Sequence, residues 1–376
     1  MSLKIGIIVH GPGIIDTGEA KRIIGILSNY GEVSCRLGGT MGRTAVIDAN
    51  LEDIINIEDK LLPSQSIQLL SEDNDILFLL NYGKSTVTGH TFGYKVLNNV
   101  GKQVNLVQIE RPGESDGIII QWNKFSDINL IKRIAHDLKL PITNYDEVID
   151  LVEDLTGYSR ENNRIERKVA GVSPEENIML NGIIIGKVTS NNLTIISENN
   201  QIIEMKGGII KQHGLEKLGD VDLSKAIIKT GLLRKSENIN PRIINHERKD
   251  KLKVMFLDHA AEDIYKYKDI DLLVTIGDDT TLLSSDILYR FSIPIIGITD
   301  GDLDKVVLKG FRHDDSLIIQ VKSGYDDIIG NIIHELLFKS ENYLIIDDME
   351  EFKEKIISII NNQKISYKFV DKQLVD

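Results

Sequence analysis

Hydrophobic positions along the chain change period several times, and each change marks a candidate element. Residues 4–9 (KIGIIV), 32–37, 75–80 and 103–109 are short apolar runs rich in β-branched side chains, while 19–30, 128–138 and 145–155 carry helical periodicity. Short buried strands alternating with helices are the pattern of βαβ units, whose parallel strands end at one edge of a sheet. Between 182 and 205 the period shortens: 182–188, 193–197 and 201–205 read as strands separated by Asn-rich turns, an antiparallel meander. The α/β pattern returns at 251–257 and 271–298, followed by a strand at 316–321, a helix at 326–338 and a last strand, helix and strand over 343–370. Polar stretches at 158–168 (YSRENNRIERK) and 236–250 read as connectors. The pattern predicts an α/β protein with two Rossmann-like parallel-sheet domains, 1–157 and 236–376, and a small β-rich unit between them at 158–235.

Composition then narrows the partners. A formal charge of −13 over 376 residues disfavours a nucleic-acid backbone, because affinity there comes from neutralising phosphates with Lys and Arg. Hydrophobic content of 41% and charged content of 27% are globular values. Cys35 is the only cysteine, so no internal disulfide can form, which suits a reducing cytoplasm. No apolar run approaches the ~20 residues that span a bilayer. The expectation is a cytoplasmic protein with a small-molecule partner and no membrane partner; a homo-oligomer stays open.

Candidate chemistry collects where strands end. At 271–305 an apolar run leads into Gly277, Asp278, Asp279 and Thr280, and a second run into Asp300, Gly301, Asp302, Leu303 and Asp304. Ligands of open α/β sheets sit outside the carboxyl ends of the strands, so two acidic turns side by side are a site candidate. A Gly-Asp turn opening a helix offers backbone N–H groups to a phosphate, and clustered carboxylates suit a hard cation such as Mg2+. The plain alternative is that Asp279 and Thr280 cap a helix beside an ordinary solvated turn.

The N-terminal half carries four further turns: His10-Gly11-Pro12-Gly13, Gly38-Gly39-Thr40 with Arg43, Asn81 with Lys84 and Ser85, and Glu110-Arg111. Asp16 and Glu19 have capping-box spacing, which places a helix start at Asp16. His10, Gly11, Gly13, Gly38, Gly39, Thr40, Arg43, Asn81, Lys84, Ser85 and Arg111 are therefore candidates for a phosphorylated or carboxylated ligand. One such turn is more often structural than functional. Four at one sheet edge strengthen the functional reading.

Two resemblances attach to these residues. IGDDTTL (276–282) followed by PIIGITDGDL (294–303) is similar to the glycine-rich blocks of NAD kinases, which implies a catalytic Asp at Asp278 and nucleotide contacts at Gly277, Thr280 and Gly301. Ile276, Asp279 and Thr299 stand where that family has Gly, Gly and Asn. Asp300-x-Asp302 after a strand also resembles the metal-binding pair of Toprim domains. In a phosphotransfer enzyme Asp278 would orient the nucleophile or the metal, and Asp300 and Asp302 would complete the ion's ligands. Over nearly the whole chain, VHGPGIIDTGEA, LGGTMGRTAVIDA and LLNYGKS resemble an archaeal family of unassigned function known largely from methanogens. The readings left open are a Mg2+-dependent phosphotransfer enzyme acting on a nucleotide or other phosphorylated molecule, a non-catalytic sensor or assembly protein, and a Toprim-like phosphodiester enzyme.

Overall fold

The computed structural model describes residues 2–101, 103–123, 127–152, 158–169, 171–230, 234, 239–244, 250–258, 264–301 and 311–370. Contacts divide the chain into a unit of 1–181 and 185–241 and a unit of 182–184 and 242–376. The protein is mixed α/β, and both units contain a sheet with parallel strands.

In the first unit, β1 (Lys4–His10), β2 (Glu32–Gly38), β3 (Ile76–Asn81), β4 (Leu106–Glu110), β5 (Ile118–Gln121) and β6 (Ile142–Asn144) form one sheet in the order β2-β1-β3-β4-β5-β6. The first four in that order are parallel; β5 runs against β4. All six β3 residues are buried, as expected of a strand covered on both faces. Helices α1 (Gly13–Asp16), α2 (Glu19–Leu27), α3 (Arg43–Asp48), α4 (Pro63–Leu70), α5 (Thr86–Val100), α6 (Ile128–Leu138) and α7 (Tyr145–Val152) connect or cover these strands. Ile8, Leu77, Leu79 and Leu106 on the sheet pack with Ile67, Val96, Val100 and Val148 on α4, α5 and α7.

The helix start expected at Asp16 is displaced. Asp16 ends α1, Gly18 takes a left-handed φ of 77°, and α2 begins at Glu19 without a side-chain cap. Asp16 is instead bound by the Arg234 guanidinium, which also reaches Asp48 at 2.6 Å.

The connector expected at 158–168 is a hairpin, β7 (Tyr158–Glu161) and β8 (Arg164–Val169), turning through Asn162 with φ of 52°. Charged residues flank Ile165, but alternation buries that side chain, and Asn at a positive φ is the turn signal that the charge pattern hid. β9 (Asn177–Leu180), β10 (Ile183–Val188), β11 (Leu193–Glu198), β12 (Gln201–Lys206), β13 (Gly208–Ile210) and β14 (Ile228–Thr230) complete two four-stranded sheets, β13-β10-β9-β14 and β12-β11-β8-β7. The short helix α8 (Gln212–Leu218) follows β13.

In the second unit, β15 (Leu252–Asp258), β16 (Leu272–Ile276), β17 (Ile295–Thr299), β18 (Leu317–Val321), β19 (Tyr343–Ile346) and β20 (Tyr367–Phe369) form the order β19-β15-β16-β17-β18-β20. β15 to β18 are parallel, and the two edge strands are antiparallel to their neighbours. Helix α9 (Asp278–Leu288) packs on β16 and β17. Ile329 and Ile333 of α10 (Asp326–Leu336), with Phe352 and Ile356 of α11 (Met349–Asn362), close a core over Val254, Val274, Ile296 and Ile319.

Candidate functional site

Strand register brings the N-terminal candidates into one row. His10 pairs with Gly38 on one side and Asn81 on the other, and Asn81 pairs with Glu110. The row stands at the carboxyl end of four parallel strands, and it includes the β1/β3 boundary where the strand order reverses.

Its side chains form a continuous hydrogen-bonded series. His10 Nδ1 lies 2.8 Å from Asn81 Oδ1, and Asn81 Nδ2 donates to Glu110 Oε2 at 2.8 Å. Glu110 also accepts from Gln108 Nε2 at 2.6 Å and from the Gly83 N–H at 2.6 Å. Burial pushes the Glu110 pKa up, against the lowering effect of these donors and of the Arg111 charge. His10 moves the other way: burial and the nearby Lys229 ammonium hold its pKa below the ordinary value, against the hydrogen bond to Asn81. Its ring stacks on Phe92, with centroids 3.9 Å apart.

The cations expected to face a ligand have internal partners. Arg43 is buried, and its guanidinium donates to the Ile57 and Glu58 carbonyls at 2.9 and 3.1 Å. Lys84 donates to Glu176 Oε1 at 2.6 Å and to the Gly171 carbonyl at 2.7 Å, which ties the β3–α5 turn to the segment before β9. Arg111 binds Asp116 and the Gly83 carbonyl. Ser85 is the N-cap of α5, its hydroxyl accepting from the Thr88 N–H at 3.3 Å. The Thr40 carbonyl accepts from Arg43 N–H at 3.2 Å. Gly11 and Gly39 have left-handed φ and face open space, whereas Gly13 sits against Tyr82, and Gly38 against Ile8 and Pro63.

In the second unit the two acidic turns meet. The Gly277 N–H donates to the Ile298 carbonyl at 2.9 Å, so the ends of β16 and β17 lie level and Asp278 adjoins Asp300. Gly277 (φ 91°) is the N-cap of α9, and no side-chain cap hydrogen bond is made. Asp278 and Asp279 occupy the first helical turn, so the capping role weighed for Asp279 and Thr280 is not what the helix start displays. Burial is the largest cause that pushes the Asp278 carboxyl up to about 8; its hydrogen bond to Asp300 and the charges of Asp300, Asp279 and Asp326 add to it. Asp300 Oδ2 accepts from the Gly324 N–H at 2.8 Å, and Gly301 lies beneath the Gln320 amide. Thr280 is buried.

The donors here are all carboxylate oxygens, which suit a hard cation in kind. Among the described residues, however, no group of three stands where it could enclose an ion, and Asp302, with Leu303 and Asp304, lies outside those residues.

Sequence reading missed Glu110 as the centre of the first row, and it missed Gln108, Phe92, Lys229 and Asp326 altogether. Gln108 and Glu110 were legible as two polar residues, two apart, on one face of an otherwise apolar strand. Nothing local marks Lys229 or Asp326, which are brought in by tertiary structure.

No helix of the described residues is long and apolar enough to cross a membrane. No solved structure matches the chain. An uncharacterised protein of Methanocaldococcus jannaschii is 44% identical over 368 residues, 97% of this chain and 99% of the relative. The model of the family described as "Uncharacterized protein conserved in archaea (DUF2117)" matches residues 7–341. With the family model and a full-length methanogen relative in agreement, the chain belongs to this archaeal family.

Proposed function

We propose that this chain is a cytoplasmic protein of two Rossmann-like α/β bodies that binds a nucleotide or another phosphorylated small molecule, and that Asp278 and Asp300 move a proton during phosphoryl transfer. The observation that carries the reading is the Asp278–Asp300 pair at the carboxyl ends of two adjacent parallel strands. A carboxyl that keeps its proton near neutrality, hydrogen-bonded to a second carboxyl, holds a proton between two oxygen atoms. Such a pair can accept the proton of an attacking hydroxyl and return one to a leaving oxygen. Structural ion-pair clusters also perturb pKa values; position at the strand ends separates this pair from an ordinary buried carboxylate. Mg2+ is the candidate cofactor of this transfer, where it would neutralise charge on the phosphoryl group.

A second reading, a ligand-binding protein without turnover, is supported by the row of His10, Asn81 and Glu110 at the carboxyl ends of parallel strands in the first unit. Phosphoryl transfer from nucleoside triphosphates, followed with and without Mg2+, separates the two. The expected result is turnover by the native chain and a loss of at least a hundredfold in Asp278→Asn, with the circular dichroism spectrum retained. Equal turnover in that variant overturns the role of Asp278. Nucleotide binding by the native chain without turnover establishes the second reading.

A further inference from the structure

The hydrogen-bonded row in the first unit fixes the proton positions of its members. Trp122 Nε1 can only donate, and it does so to Gln108 Oε1 at 3.0 Å. The Gln108 amide nitrogen must then face Glu110 Oε2, at 2.6 Å, and the Gly89 carbonyl, at 2.9 Å. As a carboxylate Glu110 can only accept, so the Asn81 amide nitrogen turns toward it and Asn81 Oδ1 turns toward His10. An amide oxygen only accepts, so His10 Nδ1 carries the hydrogen. In the neutral ring Nε2 is then a bare lone pair, and no hydrogen bond to Nε2 exists among the described residues. Stacking on Phe92 fixes the plane of the ring, beside the Gly11 turn that faces open space. Lys229 on β14 supplies positive charge in its vicinity.

We propose that His10 Nε2 is the hydrogen-bond acceptor of an anion site in the first unit, selective for a phosphoryl group that still carries a proton: monohydrogen phosphate or the monoanion of a phosphomonoester. An acceptor beside a cation is matched by an anion that brings its own O–H. Sulfate has the same shape and charge but no proton near neutral pH, so its oxygen would face the lone pair with no donor between them. A site built around one hydrogen-bonding group rejects an analogue that lacks the complementary group far more strongly than size alone would allow. The inference refines the phosphorylated ligand named above, yet it depends on neither Asp278 nor turnover.

The test uses the full chain with 15N-labelled histidine at pH 7.5 and compares inorganic phosphate with sulfate at matched ionic strength. A His10→Phe variant, which keeps an aromatic ring against Phe92, assigns the His10 signals. Before titration the His10 ring should show the Nδ1–H tautomer. Phosphate should then shift the Nε2 resonance with a half-saturation at least tenfold lower than that of sulfate. The wild-type comparison stands even if the variant folds poorly, because chemical shifts and hydrogen-bond couplings identify the tautomer. An Nε2–H tautomer, equal responses to both anions, or no response at His10 overturns the proposal. Nucleotide binding that persists alongside such a negative result leaves the Asp278 reading intact, and its loss with a positive result leaves this one intact.

Discussion

Gly89 makes room for Glu110. A Cβ built on Gly89 would lie 2.1 Å from Glu110 Cδ, well inside any tolerable contact, so the first turn of α5 admits the carboxyl only because that position has no side chain. Gly93, one helical turn on, does the same for Gln108, whose Oε1 would lie 1.7 Å from the added atom. The helix thus presents two glycines, four apart, to two polar side chains, two apart, on β4. The buried row that ends at His10 depends on this fit.

Gly89→Ala should therefore invert the usual trend. In an ordinary helix interior the exchange stabilises by roughly 1 kcal/mol. Here the overlap should outweigh it, for a net loss of about 1–3 kcal/mol, the cost typical of overpacking. Urea denaturation checks the sign; a gain in stability would mean that the carboxyl yields easily.

Removing the carboxylate tests the row itself. Glu110→Ala leaves Asn81 Nδ2, Gln108 Nε2 and the Gly83 N–H short of their acceptor. The loss should reach about 3–5 kcal/mol by chemical denaturation, and ring signals of His10 should change tautomer or broaden. A loss below about 1 kcal/mol would show that the donors find other partners.

Asp278→Asn should stabilise the fold, and more so at high pH. An unfolded Asp gives up its proton near 3.8, whereas folded Asp278 keeps it to about 8, so folding takes up a proton between those values. The contribution of the protonated carboxyl is full below about pH 4 and fades as pH rises through 8. Asn cannot ionise, so the variant should overtake the native chain by about 1–3 kcal/mol between pH 5 and 9, measured by thermal unfolding in paired buffers. A constant difference across that range would contradict the crowding of carboxyls at this turn.

Arg43 and Lys84 should act independently. Arg43 holds the Ile57 and Glu58 carbonyls, and Lys84 holds Glu176 and the Gly171 carbonyl, so they share no partner. Arg43→Ala should cost about 2 kcal/mol, since the buried Ile57 carbonyl and the part-buried Glu58 carbonyl lose their donors, and the double variant with Lys84→Ala should show additive losses. A coupling above about 0.5 kcal/mol would reveal a common ligand or pocket.

Much of this layout could be read from the sequence, for identifiable reasons. β3 and β16 are buried throughout and β1 from Ile5 to Val9, and unbroken apolar runs announce such strands. The side-by-side placement of Asp278 and Asp300 was legible too, because strands joined through a helix must end at the same edge. Charge patterning misled at 158–168, where Arg and Glu cover the outside of a real hairpin. It misled again at Arg43 and Lys84, since a residue type that suits phosphate suits a backbone carbonyl or a glutamate as well. Glu110 carried its signal in two places, Gln108-Ile109-Glu110 on the strand and Gly89 with Gly93 on the helix. Only the packed structure shows that these match.

A phosphorylated ligand with Asp278 at its reacting end should reveal itself as stabilisation of the fold. The most direct measurement is the thermal midpoint of the full native chain and of Asp278→Asn across a concentration series of nucleotides and phosphomonoesters, each with and without Mg2+. A ligand that binds only the folded state stabilises it by about 2.7 kcal/mol at a hundred times its Kd. The midpoint of the native chain should rise with concentration for at least one phosphorylated compound, and the rise should be altered in the variant. A midpoint that stays flat for the native chain across the whole series would contradict phosphorylated-ligand binding.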